Sequence, residues 1–258
     1  MMIMKEELVI VAQEEIAPRI FAMDLSGEMV QEMAAGQFLH IRVPDASKVL
    51  RRPISISQVD REANRCRIIY RIEGEGTRQF SQMQVGQVLD CMGPQGNGFD
   101  ISFLSEGQSV LLIGGGIGVP PLVELAKQVA NLGCQVTSVI GFANKEAVIL
   151  EEALSAYGGV VVTTDDGSYG RKGYVSEVVD ELSEEFAAVY SCGAPGMMRY
   201  VDGKFAQHVH AYMSLESRMA CGMGACYACV VHPKDGQEAD LQRVCEEGPV
   251  FPTGSLIL

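Results

Sequence analysis

The sequence predicts a β + α/β chain built from three units: an antiparallel β-barrel over residues 1–102, a parallel α/β domain over 103–214, and a cysteine-bearing loop segment over 215–258. Three observations carry this. Short runs rich in β-branched residues recur at near-regular spacing up to about residue 100. From about residue 108 the rhythm changes to strand–helix alternation. Near the end, four cysteines stand in the order Cys221-x4-Cys226-x2-Cys229-x15-Cys245.

In the first unit, strands are expected at residues 7–12, 20–25, 37–43, 54–59, 66–72 and 88–92, each bounded by Gly, Pro or Asp. Six short strands in succession suit a small closed barrel. A short helix is expected over residues 77–83, between the last two strands.

In the second unit, the apolar run 109–113 ends in Gly114-Gly115-Gly116-Ile117-Gly118 and leads into a helical stretch over 120–132. Strands at 135–141, 159–163 and 187–192 alternate with helices at 147–157, 173–182 and 195–207. Buried apolar strands joined through helices form a parallel, doubly wound sheet. Residues 209–215 add one more candidate strand, with His208 and His210 expected on one strand face.

The third unit carries the most informative motif. Three bunched cysteines and one remote one have the plant-type [2Fe–2S] spacing. A tight loop must bring four thiolates to two irons and aim backbone N–H groups at the sulfurs, and Gly222 and Gly224 suit such a backbone. The alternatives are a structural zinc site, whose cysteines usually fall in two pairs, and disulfides.

Composition narrows the function. Hydrophobic residues make up 47% of the chain, enough for a full core. With 33 acidic and 20 basic residues the net charge is −13, which argues against nucleic-acid binding and against docking on an anionic membrane. The N-terminal segment lacks the pattern of a secretion signal, and no apolar run reaches membrane-spanning length. Eight cysteines in such a chain point to a reducing, cytoplasmic compartment.

Four further motifs have a chemical and a plain reading each. Arg51-Arg52-Pro53-Ile54-Ser55 offers guanidinium donors for a phosphate and a hydroxyl for a ring nitrogen, although an Arg at a strand start is usually only solvated. Ile69-Tyr70-Arg71 can stack on a ring, and Gly76-Thr77 before a helix can present N–H groups to a pyrophosphate; the plain reading is a strand and a capped turn. The Gly114–Gly118 run lies between strand and helix, where a nucleotide loop belongs, but Val119 replaces the third glycine of the dinucleotide fingerprint. Cys192-Gly193 ends a strand, where open α/β sheets bind ligands, although such a Cys is more often structural. Cys66, Cys91 and Cys134 read as core, and His40 and His232 as isolated.

The order of these motifs resembles the ferredoxin–NADP reductase superfamily, an FAD-binding barrel followed by a nicotinamide-binding domain. Arg218-Met-Ala-Cys-Gly-Met-Gly-Ala-Cys-Tyr-Ala-Cys229 and Val244-Cys245-Glu-Glu-Gly-Pro-Val-Phe251 resemble the electron-transfer subunits of NAD-dependent dihydroorotate dehydrogenases. The resemblance implies that Arg52, Pro53, Ile54 and Ser55 hold FAD and that Ile69, Tyr70 and Arg71 line it. It implies that Gly76 and Thr77 meet its pyrophosphate. Gly114, Gly115, Gly116, Gly118 and Cys192 would face NAD, and Cys221, Cys226, Cys229 and Cys245 would bind a [2Fe–2S] cluster. It further implies a separate FMN-containing catalytic subunit, joined in a heterotetramer with two copies of each. The implied electron path runs from dihydroorotate through FMN, the cluster and FAD to NAD⁺, in pyrimidine synthesis. The flavin and iron–sulfur subunits of NADH-dependent ferredoxin–NADP oxidoreductases and sulfide dehydrogenases share the layout, but their pattern has Asp at the first cluster position, where this chain has Cys221.

Overall fold

The computed structural model describes residues 3–237 and 240–258; the first two residues of the segment in which no secretion signal is expected lie outside it. Strands β1 (Met4–Ala17), β2 (Ile20–Ser26), β3 (Phe38–Ile41), β4 (Arg52–Asp60), β5 (Arg65–Arg71) and β6 (Val88–Gln95) close into an antiparallel barrel in the order β1-β2-β5-β4-β3-β6. β1 is longer than the pattern suggested and pairs with both β2 and β6. Register shifts at Ile10/Ala12 and Glu15/Ala17 let it bend round the barrel. Leu8, Ile10, Met23, Leu39, Ile56 and Ile68 fill the interior, with Cys66 and Cys91 among them. Burial pushes the Cys66 thiol up to about 12, so it is an inert core group.

Helix α1 (Glu75–Ser81) bridges β5 and β6. It begins two residues earlier than expected, so Gly76 and Thr77 lie in its first turn rather than before it. The Thr77 hydroxyl caps that turn, accepting the Glu73 N–H at 3.1 Å.

The second unit contains β7 (Ser109–Gly115), α2 (Pro120–Asn131), β8 (Gln135–Phe142), α3 (Glu151–Ser155), β9 (Gly158–Thr164), β10 (Arg171–Lys172), α4 (Val175–Glu181), β11 (Ala188–Cys192), α5 (Pro195–Lys204) and β12 (Ala211–Ser214). Along β7, Val110 and Leu112 face one core while Leu111 and Ile113 face another. Burial on both faces is why this strand reads as an unbroken apolar run. The helix expected over residues 147–157 is shorter, because a 3-10 turn at Lys145–Ala147 and a left-handed Leu150 (φ 64°) interrupt it. His208 and His210 precede β12 in a turn instead of sharing a strand face; His210 stacks on Phe103 and His208 meets the Phe186 carbonyl.

The C-terminal segment adds β13 (Val230–Pro233), β14 (Gln242–Arg243), β15 (Val250–Pro252) and β16 (Leu256–Ile257). β15 pairs antiparallel with β12, giving a sheet of order β10-β9-β8-β7-β11-β12-β15, and β13 lies between β14 and β16. This segment bridges the other two units. Asp202 on α5 accepts from Lys234 Nζ (2.7 Å) and the Gly254 N–H (2.6 Å). On the barrel side, Asn97 donates through its backbone N–H to the Gly248 carbonyl (2.6 Å) and through its side chain to Glu247 (3.0 Å). Barrel and α/β domain are joined by α2 on β4. There the buried Glu124 accepts the Val59 N–H (2.9 Å) and Lys127 donates to the Val59 carbonyl (2.7 Å). Among the described residues, no helix is long and apolar enough to cross a membrane.

Candidate flavin, nicotinamide and cluster sites

Two clefts meet where the three units join. The barrel-side cleft, of about 710 Å³, is lined by Arg52, Pro53, Ile54 and Ser55 of β4 and by Ile69, Tyr70 and Arg71 of β5. Gly76 and Thr77 of α1 complete that wall, so every barrel residue singled out from sequence opens onto one cavity. Arg51 also borders this cleft, but its guanidinium is held by Asp90, 2.7 Å from the carboxylate; burial would raise the Asp90 pKa, and the hydrogen bond from Arg51 outweighs that and lowers it. Arg52, by contrast, donates only to the neighbouring Leu50 and Arg51 carbonyls, leaving donors for a ligand. Gly76 makes room for it. A Cβ at position 76 would stand 2.7 Å from Arg52 Nε and 3.0 Å from Val43 Cγ2. Tyr70 is more buried than a stacking platform needs to be. Its ring stacks on Phe21 and its hydroxyl donates to Gln13 Oε1 at 3.0 Å, while the residue still borders the cleft.

The second cleft, of about 990 Å³, lies at the switch in strand order between β7 and β11. Open α/β sheets bind nucleotides there. Gly115, Gly116 and Gly118 line it, as do Gly193 and Ala194 after β11. Gly118 is constrained by contact: a Cβ there would lie 2.5 Å from the Cys192 carbonyl. Gly114 faces inward against Val119 and Leu122, and Cys192 is buried behind Gly193, so neither lines the cleft. Burial pushes the Cys192 thiol far up. Asp165 does line this cleft. Arg171 on β10 is paired with Glu181 at 2.7 and 2.8 Å.

Arg71, Ile117 and residues Ser214 to Ser217 line both clefts, so the two clefts share one wall. Glu216 stands on this shared wall; burial, then the nearby Glu73, raises its pKa. It was not foreseen, because nothing in its sequence neighbourhood marks it.

Arg218 and Met219, which lead into the cysteine loop, and Pro249, which follows it, line the barrel-side cleft. All four thiols are free. The Met223 N–H points at Cys221 Sγ (3.4 Å), the Cys221 N–H at Cys226 Sγ (3.5 Å), and the Gly224 N–H at Cys245 Sγ (3.2 Å). Gly222 (φ 69°) and Gly224 (φ 76°) adopt left-handed backbone to achieve this. Burial alone would raise the Cys221 thiol, but N–H groups of Met223, Cys226 and Ala225 and the Cys226 thiol hold it at about 7. Among the described residues, no three such side chains converge on a single ion position. Bunched cysteines whose sulfurs receive backbone N–H donors fit the loop of a two-iron cluster. Arg243 braces the loop, donating to the Gly224 carbonyl (2.7 Å), lying over the Tyr227 ring and pairing with Glu247.

Comparison with known proteins agrees with this geometry. Residues 7–99 match the oxidoreductase FAD-binding domain, 112–203 the oxidoreductase NAD-binding domain, and 216–257 the iron–sulfur cluster binding domain of dihydroorotate dehydrogenase B. The dihydroorotate dehydrogenase B (NAD(+)) electron transfer subunit of Streptococcus mutans is 65% identical over 257 residues, covering 100% of both chains. This chain belongs to that family. The Enterococcus faecalis and Geobacillus thermodenitrificans electron transfer subunits are 49% and 46% identical, covering 98% and 100% of both chains. A solved NADH-dependent reduced ferredoxin–NADP oxidoreductase superposes with a TM-score of 0.86 at 27% identity, over 97% of this chain and 89% of that one. As a member of the dihydroorotate dehydrogenase B electron transfer family, the chain is an oxidoreductase subunit with FAD-binding, NAD-binding and iron–sulfur cluster-binding domains.

Proposed function

We propose that this chain is the half of a cytoplasmic NAD-dependent dihydroorotate dehydrogenase that delivers electrons to NAD⁺. Dihydroorotate is oxidised on a separate FMN-containing subunit, and two copies of each assemble. The observation that carries this reading is the shared wall of the two clefts, continued along the barrel cleft by Arg218 and Met219, which lead into the cysteine loop. A nicotinamide exchanges electrons in pairs and an iron–sulfur cluster singly, and a bound flavin supplies the conversion between them.

Each residue then has a task. Arg52 binds a phosphate oxygen, with Gly76 and Thr77 beside it. Pro53, Ile54 and Ser55 border the flavin ring, and Ile69, Tyr70 and Arg71 line its other edge. Gly115, Gly116 and Gly118 admit the nicotinamide nucleotide, while Gly114 and Cys192 hold the loop from behind. The Asp165 carboxylate takes ribose hydroxyls and repels a 2′-phosphate, favouring NAD over NADP. Cys221, Cys226, Cys229 and Cys245 hold the cluster. The units run over residues 1–102, 103–214 and 215–258.

A second reading, the corresponding subunit of an NADH-dependent ferredoxin–NADP oxidoreductase or a sulfide dehydrogenase, has the fold similarity in its favour. The higher identity to dihydroorotate dehydrogenase B subunits, and Cys221 at the first cluster position, favour the first. The test is the isolated chain with NADH. It is expected to reduce an artificial acceptor such as ferricyanide and to leave dihydroorotate untouched. Orotate formed by the chain alone rejects the reading.

A further inference from the structure

His40 on β3 is fully buried, and among the described residues neither ring nitrogen makes a hydrogen bond of good geometry, although the backbone of Arg51 and of Cys221 lies within reach of the ring. Gln95, at the end of β6, is 1% exposed, and among the described residues neither its amide nitrogen nor its oxygen has a partner. Buried polar side chains are nearly always well satisfied, so two poorly satisfied ones at one place call for a further partner. The place is specific. Both press on Gly222, next to Cys221: a Cβ on Gly222 would collide with His40 Nδ1 and stand 2.9 Å from Gln95 Oε1. Leu39 and Ile41 point into the barrel core, so His40 between them faces the other way, toward the cysteine loop. Arg51 stands beside His40, but its guanidinium donates to the His40 carbonyl (3.2 Å) and offers the ring no acceptor.

We propose that His40 and Gln95 are positioning residues for the iron–sulfur cluster, forming a polar seat beneath the Cys221 loop and donating hydrogen bonds toward the cluster's sulfur atoms. The proposal rests on the cluster reading above. A carboxamide carries two N–H donors, and an imidazole carries at least one in either protonation state. Sulfur atoms of an iron–sulfur cluster are acceptors, and donors to them are a principal control on its reduction potential. The three backbone donors already seen come from the loop itself. The barrel supplies the others. This also accounts for a polar pair at the point where the loop lies on an otherwise apolar barrel.

The test uses the full chain loaded with flavin and cluster, comparing wild type with His40→Leu, Gln95→Leu and His40→Asn. Iron and acid-labile sulfide per chain, the EPR spectrum of the reduced cluster and its midpoint potential are measured. A donor to sulfur stabilises the reduced, more negative cluster, so each Leu variant is expected to lower the potential. The expected shift is about tenfold in the reduced-to-oxidised ratio, ~59 mV for a one-electron couple. His40→Asn keeps an N–H and is expected to recover part of it. Cluster loss with FAD retained also supports the seat. Wild-type potential and EPR spectrum in both loaded Leu variants overturn it. Loss of FAD and cluster together assigns the residue to barrel packing and overturns it as well. Wild-type chain without iron or sulfide would instead reject the cluster reading itself.

Discussion

Arg52 and Gly76 permit a prediction that separates a phosphate-binding role from a merely structural one. Removing the guanidinium in Arg52→Ala takes away a charge-assisted hydrogen bond, worth about 1.5–3 kcal/mol, or roughly ten- to a hundredfold in FAD affinity. Gly76→Ala leaves every donor in place but puts a methyl 2.7 Å from Arg52 Nε. The flexible guanidinium must swing aside, so the same order of loss is expected. Alanine is also the better helix residue by about 1 kcal/mol, and position 76 lies in α1. In an Arg52→Ala background the methyl has only Val43 to displace, at 3.0 Å, and Gly76→Ala should then cost little or stabilise the fold slightly. FAD affinity by fluorescence titration and thermal unfolding of the four proteins complete the cycle. Additive losses in FAD affinity would refute the idea that Gly76 acts by seating Arg52. An unchanged affinity in Arg52→Ala would refute the phosphate role.

Other expectations follow the same geometry. Serine at position 221, 226, 229 or 245 should abolish or sharply reduce iron content and visible absorbance, while Cys66→Ser should retain the cluster because that thiol lies in the barrel core. Glu124→Leu removes the acceptor of the Val59 N–H at the join of barrel and α/β domain, and leaving that group unsatisfied costs about 1–3 kcal/mol; a lowered melting temperature with unchanged iron content checks this. Asp165→Ser should raise activity with NADP(H) relative to NAD(H) by about tenfold or more, since like charges brought together cost several kcal/mol, and steady-state kinetics with both nucleotides reads it.

Much of this was legible in the sequence because the signals are local. The barrel strands declare themselves through β-branched runs, and β7 through a run buried on both faces. The cluster ligands show in their spacing, and the barrel residues from Arg52 to Thr77 show in short motifs that converge on one cleft. What escaped depends on distant contacts. β15 is only three residues long, and nothing in Val250–Pro252 announces that it extends a parallel sheet through antiparallel pairing with β12. Tyr70 read as a stacking face, but Phe21 and Gln13 take most of its ring and its hydroxyl. His40 read as isolated because its neighbours in sequence are apolar; its significance appears only when Gly222 folds back onto it. Glu124 is one acid on an amphipathic helix until Val59 of the barrel meets it.

The central claim is that this chain connects a one-electron donor on a partner to NAD⁺. Its most direct test mixes the purified chain with the FMN-containing dihydroorotate dehydrogenase subunit of the same source and follows NADH formation at 340 nm, for wild type and for Cys226→Ser, with ~1 mM dihydroorotate, the upper end of usual KM values. The account predicts NADH only in the mixture and only with the wild-type chain. NADH at an equal rate with Cys226→Ser, or none from the wild-type mixture, would contradict it.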